Sequence, residues 1–193
     1  MRYAHSILLL LFSYSTQLAG QSIADSTVFR SIFHNKTITI TTKDNKNYAG
    51  FVTYQIDKII GSIHQLNHKT KTIYKTYPLS TIDATNIATY FLSSGIASIP
   101  PSDTSNWSDG FDGYTYVFEY SAPQHQFKRS FWCPDSNYHT SPYGKIITDY
   151  GCYVAELIDG KFKKKFMSTL KPGTYFAGGF AYTTITWPAN GLY

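Results

Sequence analysis

Four acidic side chains that could do chemistry lie close together in the sequence, between residues 103 and 119. A glycoside hydrolase needs two suitably spaced carboxylates, and Asp112 with Glu119 is one candidate pair. Calcium prefers clustered oxygen ligands, but Asp103, Asp109 and Asp112 lack the alternating spacing of an EF-hand loop. A small secreted hydrolase that uses the acids of this segment is therefore one hypothesis for the function.

The same segment carries aromatic residues in a polar setting, which indicates binding. The loop of residues 100–113 is longer than most connections, and loops of that length are often functional. Aromatic rings bring a large contact area at low entropic cost. We therefore expect a non-catalytic binding or interaction module whose ligand, a glycan or a protein, contacts Trp107, Phe111 and Asp112. The competing interpretation is that Trp107 folds back and covers the aromatic face of the next strand.

The two cysteines, Cys133 and Cys152, suggest a covalent link. In an oxidising compartment a pair of cysteines predicts one disulfide, here joining the end of a hairpin to a helix. The alternatives are two free thiols, or a catalytic thiol with Cys133 as the nucleophile and His139 as its base. The sequence around Cys133 matches no known nucleophile signature, so the disulfide is our expectation.

Metal and cofactor signatures do not occur in the chain. His64 and His68 have a metal-ligand spacing only if both lie on a helix, and they flank a predicted turn. The sequence contains no Gly-rich phosphate loop, no Gly-x-Ser-x-Gly and no His-Glu-x-x-His. We therefore expect neither a metal nor a cofactor. Asn35 and Asn106 begin glycosylation sequons, which matter only in a host that glycosylates.

Residues 1–20 have the three parts of a secretory signal: a basic start at Arg2, an apolar run and small residues before the cleavage site. Cleavage after Gly20 would leave Gln21 first, and residues 22–24 offer a second site. The apolar run is far shorter than the ~20 residues that span a bilayer. We expect a secreted or periplasmic protein without a transmembrane segment, with residues 21–193 as a single domain.

Charge is unevenly distributed along the chain, which has a formal net charge of +5. Residues 160–193 contain five lysines and no acid. Such a patch can contact nucleic acid, an anionic membrane or an acidic glycan, but is most often a solvated face. We expect no nucleic-acid partner.

The elements that must position these residues are mostly strands, because 17 Tyr and 13 Phe accompany abundant Thr and Ile. Alternation and turn signals predict an α+β fold, a largely antiparallel sheet with two packed helices. The expected strands are residues 36–42, 48–56, 62–66, 72–77, 114–120, 127–132 and 174–187. The expected helices are residues 81–94, ending at Gly95, and 142–159, ending at Gly160. Their predicted core residues are Ile87, Phe91, Ile146, Tyr150, Val154 and Leu157.

The strand of residues 114–120 has four aromatic rings on one face, at alternate positions from Tyr114 to Tyr120. If Tyr120 pairs with Phe127 on the returning strand, Glu119 faces Lys128. An aromatic ladder and an opposite-charge pair would both stabilise that register.

A resemblance follows from these residues. Along the sequence, Asp112-Gly113 is followed by an aromatic strand that ends in Glu119 and then by a returning strand with Trp132 and Pro134. This order resembles a pattern in uncharacterised secreted or envelope proteins of bacteria, in which a Trp-x-Pro closes the hairpin. The resemblance covers about a quarter of the chain and implies a structural hairpin; it implies no activity.

Overall fold

The computed structural model describes residues 26–61, 69–101, 107, 113–178 and 181–185. Within them the chain forms eight strands and two helices. In chain order they are β1 (Thr27–Phe33), β2 (Lys36–Thr42), β3 (Ala49–Ile60), β4 (Lys69–Pro78), α1 (Thr81–Ser93), β5 (Thr115–Ala122), β6 (His125–Trp132), α2 (Pro142–Met167), β7 (Gly173–Gly178) and β8 (Ala181–Ile185). Short 3₁₀ helices at Ile96–Ser98 and Pro134–Asn137 follow α1 and β6.

The strands form one sheet in which the described pairs are antiparallel, which confirms the predicted α+β fold. The order along the sheet is β6-β5-β1-β2-β3-β7-β8, and β4 also pairs with β3. Because β4 occupies one edge of β3 almost throughout, β2 and β7 share the other edge. The 12-residue β3 is therefore the strand around which both halves of the sheet are built.

Both helices cover the same face of the sheet. The ring of Phe91 in α1 contacts Phe29 of β1, with centroids 5.5 Å apart. The ring of Tyr150 in α2 lies 6.3 Å from Phe33, two alternations further along β1. Phe118 of β5 touches both helices and is fully buried. Burying large rings from three elements in one cluster is the main source of stability here.

The β5–β6 hairpin has the predicted register. Tyr120 pairs with Phe127, and Glu119 faces Lys128. The Lys128 ammonium lies 2.8 Å from the Glu119 carboxylate. The aromatic ladder and the charge pair therefore fix this register together.

Helix α1 begins and ends where the sequence predicts. The Ser80 side chain accepts a hydrogen bond from the Asp83 amide at 3.0 Å, which satisfies an unpaired donor of the first turn. Gly95 has a φ of 85°, the left-handed conformation that glycine adopts without strain. Ile87 and Phe91 are buried, as expected.

Helix α2 is longer than the sequence analysis predicts. It starts at Pro142 but continues through Gly160 to Met167, so Gly160 does not end it. The reason is tertiary: Phe162 and Phe166 continue the apolar row and pack on rings of the sheet. Packing of an apolar face outweighs the ~1 kcal/mol cost of one glycine in a helix.

The buried face of α2 is also rotated slightly from the prediction. Tyr150 and Val154 are fully buried as expected, whereas Ile146 and Leu157 are only partly buried. Ile147 and Ile158 take the deepest positions instead.

Two predicted strand arrangements are wrong. The sequence, with turn residues at 67–70, also predicts that strands 62–66 and 72–77 pair as a hairpin, but β4 pairs instead with β3 along Phe51–Ile60. Residues 62–66 lie outside the described part of the chain. The expected single strand of residues 174–187 is instead a hairpin, in which β7 and β8 pair from Gly173 with Ile185 to Gly178 with Ala181.

The N-terminal segment predicted as a secretory signal, residues 1–20, lies outside the described residues. Among the helices that are described, neither is both long enough and apolar enough to cross a membrane.

Candidate functional site

The structure buries Trp107, the first of the predicted ligand contacts. Its side chain is 8% exposed, and its indole N–H donates a 2.7 Å hydrogen bond to the Trp132 carbonyl. Its ring packs on Phe131 with centroids 5.0 Å apart. Trp107 is therefore buried against Phe131 of β6, the strand that pairs with β5. Phe111 and Asp112 lie outside the described residues, so their ligand contacts stay a prediction.

Glu119, proposed as a hydrolytic acid, is held between two cations. Its carboxylate lies 2.9 Å from Arg30 and 2.8 Å from Lys128. The hydrogen bond from Lys128, with smaller contributions from Arg30, lowers the pKa of Glu119. A carboxyl held ionised in this way is unsuited to donate a proton at neutral pH. Its candidate partners Asp103, Asp109 and Asp112 lie outside the described residues.

The predicted disulfide is not formed, because Cys133 and Cys152 are both free. The Cys133 sulfur turns towards Gly113, where an added Cβ would lie only 2.3 Å from it. Cys152 is exposed on the surface of α2, on the side away from the helix's buried apolar residues. No disulfide therefore joins the hairpin to the helix, and Asp135, which accepts hydrogen bonds from Tyr114 and from Thr148 of α2, is one of the noncovalent links between them.

Across the described residues there is no group of three or more His, Cys, Asp or Glu that could hold a metal ion. His64 and His68 lie outside those residues.

A cleft that the sequence analysis did not identify lies between β1, β5 and α2. Its walls are the β1–β2 turn (residues 33–36), Tyr114 and Tyr116 at the start of β5, and Gly151, Ala155 and Asp159 of α2. Its volume is about 280 Å³, at the low end of the ~300–1,000 Å³ typical of ligand pockets. We call it the tyrosine cleft.

A buried ion pair forms the deep wall of the tyrosine cleft. The Lys36 ammonium lies 2.7 Å from the Asp159 carboxylate, and the Tyr54 hydroxyl donates to the same oxygen at 2.7 Å. The Lys36 side chain is only 7% exposed, whereas that of Asp159 is 26% exposed. A buried pair that loses one partner leaves an uncompensated charge, so each of these groups fixes the others in place.

Burial controls the protonation of this wall. Removal from water lowers the pKa of Lys36; the bond to Asp159 opposes that shift, and the nearby Lys163 adds to it. Burial and the carboxylate of Asp159 both raise the pKa of Tyr54. Near neutral pH the Tyr54 phenol therefore keeps its proton and donates a hydrogen bond to the Asp159 oxygen.

Two tyrosine rings form the side wall of the cleft. The rings of Tyr114 and Tyr116 are 5.3 Å apart, and both are partly exposed. The Tyr114 hydroxyl donates to Asp135, and burial raises the pKa of Tyr116 to about 12. Gly151 makes room for them: a Cβ there would lie 2.9 Å from the Tyr116 ring. Any larger residue at position 151 would push that ring into the cleft.

The mouth of the cleft carries the exposed turn residues His34 and Asn35. Asn35 is also the acceptor of the first predicted sequon, so a glycan attached there would sit at the mouth.

The sequence contained one signal for this site. Strand alternation places Lys36 in phase with Ile38 and Ile40, on the face that is buried. A lysine in phase with core isoleucines must find a buried partner, and Asp159 is 123 positions away. The sequence therefore indicates that Lys36 is buried, but it does not indicate that Asp159 is its partner.

A scan against models of protein families finds no match to this chain, and a search of curated proteins finds no related sequence. The resemblance to secreted bacterial proteins stays a prediction.

Proposed function

We propose that this protein is a non-catalytic binding module that acts outside the cytosol and holds one sugar unit of a glycan in the tyrosine cleft. The observation that carries the proposal is the combination, in one small cleft, of two partly exposed tyrosine rings with a hydrogen-bonding wall. A sugar ring presents C–H groups on its faces and hydroxyls at its rim, so it requires both kinds of surface. Pockets of this kind fix their ligand with a few polar groups.

The polar groups of the cleft favour binding over catalysis. Asp159 accepts bonds from both Lys36 and Tyr54 through one oxygen, so that oxygen holds the wall together while the second carboxylate oxygen can accept a bond from a sugar hydroxyl. A nucleophile or general base must instead be positioned against the reacting atom and not be neutralised by a structural partner. These groups set the shape and polarity of the wall.

Saturation-transfer NMR with glucose, galactose and N-acetylglucosamine tests the proposal. We expect at least one sugar to receive magnetisation from the native protein. Tyr114→Ala should abolish that transfer because it removes a ring of the wall. The matched control is Tyr74→Ala, since Tyr74 is 72% exposed on β4 and lies outside the cleft.

A second variant keeps the test independent of folding. Ala155→Met adds volume to the cleft from α2 and removes none of the described hydrogen bonds, so it should block the sugar while the thermal transition is preserved. Absence of transfer from all three sugars, or equal loss in Tyr114→Ala and Tyr74→Ala, would contradict the proposal.

The site of action is tested by mass spectrometry of the protein recovered from outside the cells. We expect a chain that starts at Gln21, or at Asp25 if the second site is used. Recovery of a mature chain that retains Met1 would contradict export.

A further inference from the structure

Two stretches of the sequence carry lysines without any acid. Residues 58–82 contain four lysines, and residues 160–193 contain five. The rest of the chain has eight basic residues against twelve acidic ones. The net charge of +5 therefore conceals a strong separation of charge along the chain.

The fold brings the two acid-free stretches together. Phe162 of α2 stacks on Tyr77 of β4 with centroids 5.5 Å apart, and the Lys165 ammonium lies 5.5 Å from the centre of the same ring. On the other side, Lys58 of β3 donates a 3.1 Å hydrogen bond to the carbonyl of Pro172. Residues more than 80 positions apart thus form one basic surface. We define the lysine face as Lys58, Lys69, Lys71, Lys75, Lys165 and Lys171.

The register of β3 with β4 places the hairpin lysines on one side. Lys71 is directly opposite Lys58, and Lys75 is directly opposite Tyr54. Opposed residues of an antiparallel pair share a side of the sheet, here the side that α2 covers at Tyr54. Lys69, Lys71 and Lys75 are all exposed.

The acids nearest to the lysine face do not neutralise it. Asp57 lies on the other side of the hairpin, where it accepts a 2.6 Å bond from Thr72. Asp83 is buried against Lys161 at 3.0 Å, and Asp159 is bound to Lys36.

We propose that the lysine face binds the anionic headgroups of a lipid membrane. Each lysine near such a surface contributes about 1 kcal/mol, and an exposed apolar side chain adds to the binding. Ile60 supplies one: it is 51% exposed and lies on the same side as Lys69, its partner in the register. The lysine face is distinct from the tyrosine cleft, so this proposal is tested independently of the proposed glycan binding.

The composition of the face favours lipid over nucleic acid. Neither acid-free stretch contains an arginine, the side chain preferred for nucleic-acid recognition because its planar guanidinium stacks on rings as well as forming hydrogen bonds. Single-stranded nucleic acids also require exposed rings for stacking. The most exposed ring of the hairpin, Tyr74, pairs with Gln55 and so lies on the other side.

Co-sedimentation with vesicles tests the assignment on the full chain. We expect binding to phosphatidylcholine vesicles that contain phosphatidylglycerol, no binding to phosphatidylcholine alone, and release at high salt because screening shortens the range of the charges. Lys71→Gln with Lys75→Gln should weaken the partition about twenty-five-fold, from about fivefold for each lysine.

The matched control is Lys43→Gln with Lys46→Gln. It removes the same charge from two exposed lysines in the β2–β3 turn, at the opposite end of β3. We expect it to change the partition less than about twofold, since those lysines lie beyond the ~8 Å screening length at physiological salt.

If the two double variants weaken vesicle binding equally, the effect depends only on net charge and the proposed role of the lysine face is wrong. Failure to bind the anionic vesicles would overturn it as well. A duplex oligonucleotide that binds at physiological salt and loses binding only with the Lys71–Lys75 pair, while vesicles do not bind, would assign the face to nucleic acid instead.

Discussion

The two ends of the sheet use their basic side chains in opposite ways. At the end formed by β1, β5 and β6, which we call the aromatic end, Arg30 and Lys128 both bind Glu119. Arg129 donates to the carbonyl groups of Ile96 and Ala97, at 3.3 and 2.9 Å. At the other end, around β3, β4 and the second half of α2, the lysine face gathers six cations, while Asp57, Asp83 and Asp159 are bound to other groups.

Buried hydroxyls differ in the same way between the two ends. The Tyr150 hydroxyl, at the aromatic end, shares a 2.9 Å hydrogen bond with Ser31. The Tyr77 hydroxyl, next to the lysine face, is buried and has no hydrogen-bond partner among the described residues. The aromatic end thus satisfies its charges and its buried Tyr150 hydroxyl internally, which favours stability. The lysine end keeps like-charge repulsion and an unpaired hydroxyl, costs that a binding surface can justify.

The largest expected effect tests the aromatic end directly. Tyr150→Asp should lower the free energy of unfolding by more than about 4 kcal/mol, because it buries an unpaired charge among rings. Tyr150 is 1% exposed and contacts Phe33, Phe91 and Phe118. Urea denaturation measures the change. Lys145→Ala, on the exposed side of α2, should be nearly silent; comparable losses would mean that α2 presents a different face.

The second effect concerns the indole that covers this end. Trp107→Ala should cost about 3 kcal/mol, the usual cost of deleting a buried tryptophan. Trp107→Phe keeps a ring and removes only the hydrogen bond to Trp132, so it should cost about 1 kcal/mol. Both are read from the melting temperature and urea midpoint. An unchanged melting temperature in Trp107→Ala would restore this residue as an exposed ligand contact.

The third effect is a loss of stability at alkaline pH. Burial raises the pKa of Tyr150, while an unfolded tyrosine ionises near pH 10. Above about pH 10 the unfolded chain has released a proton that the folded chain retains, so stability falls as pH rises. The slope for one such group approaches about 1.4 kcal/mol per pH unit. Stability of Tyr150→Phe should fall less steeply between about pH 10 and pH 11; parallel curves would contradict the assignment.

The smallest expected effect is a change in stability that differs in sign between the aromatic end and the lysine end of the sheet. Tyr150→Phe removes a satisfied hydroxyl and should destabilise the protein by about 1 kcal/mol at neutral pH. Tyr77→Phe removes a buried hydroxyl without a described partner, so it should be neutral or stabilising by up to about 1 kcal/mol. Urea midpoints of the two variants, compared side by side, decide the point. A loss in Tyr77→Phe equal to that in Tyr150→Phe would show that the Tyr77 hydroxyl does have a partner.

Local chemistry made several elements predictable. Ser80 and Gly95 bound α1 because a capping hydroxyl and a left-handed glycine act within one turn of the chain. The β5–β6 register followed from side chains fewer than fifteen positions apart, such as Glu119 and Lys128. Where local signals compete with distant packing they failed: Gly160 indicated an end to α2, but Phe162 and Phe166 found rings on the sheet.

The sequence by itself determined the α+β class, the first helix and the β5–β6 hairpin, because alternation, caps and turns depend on near neighbours. Only the tertiary structure decided that Lys36 meets Asp159, that Trp107 is buried, that the two cysteines stay apart and that two lysine-rich stretches become one surface. Each of these outcomes depends on which residues, distant in sequence, come close together in the folded chain. The burial of the aromatic core decides which residues meet, and residues from the whole chain contribute to that core.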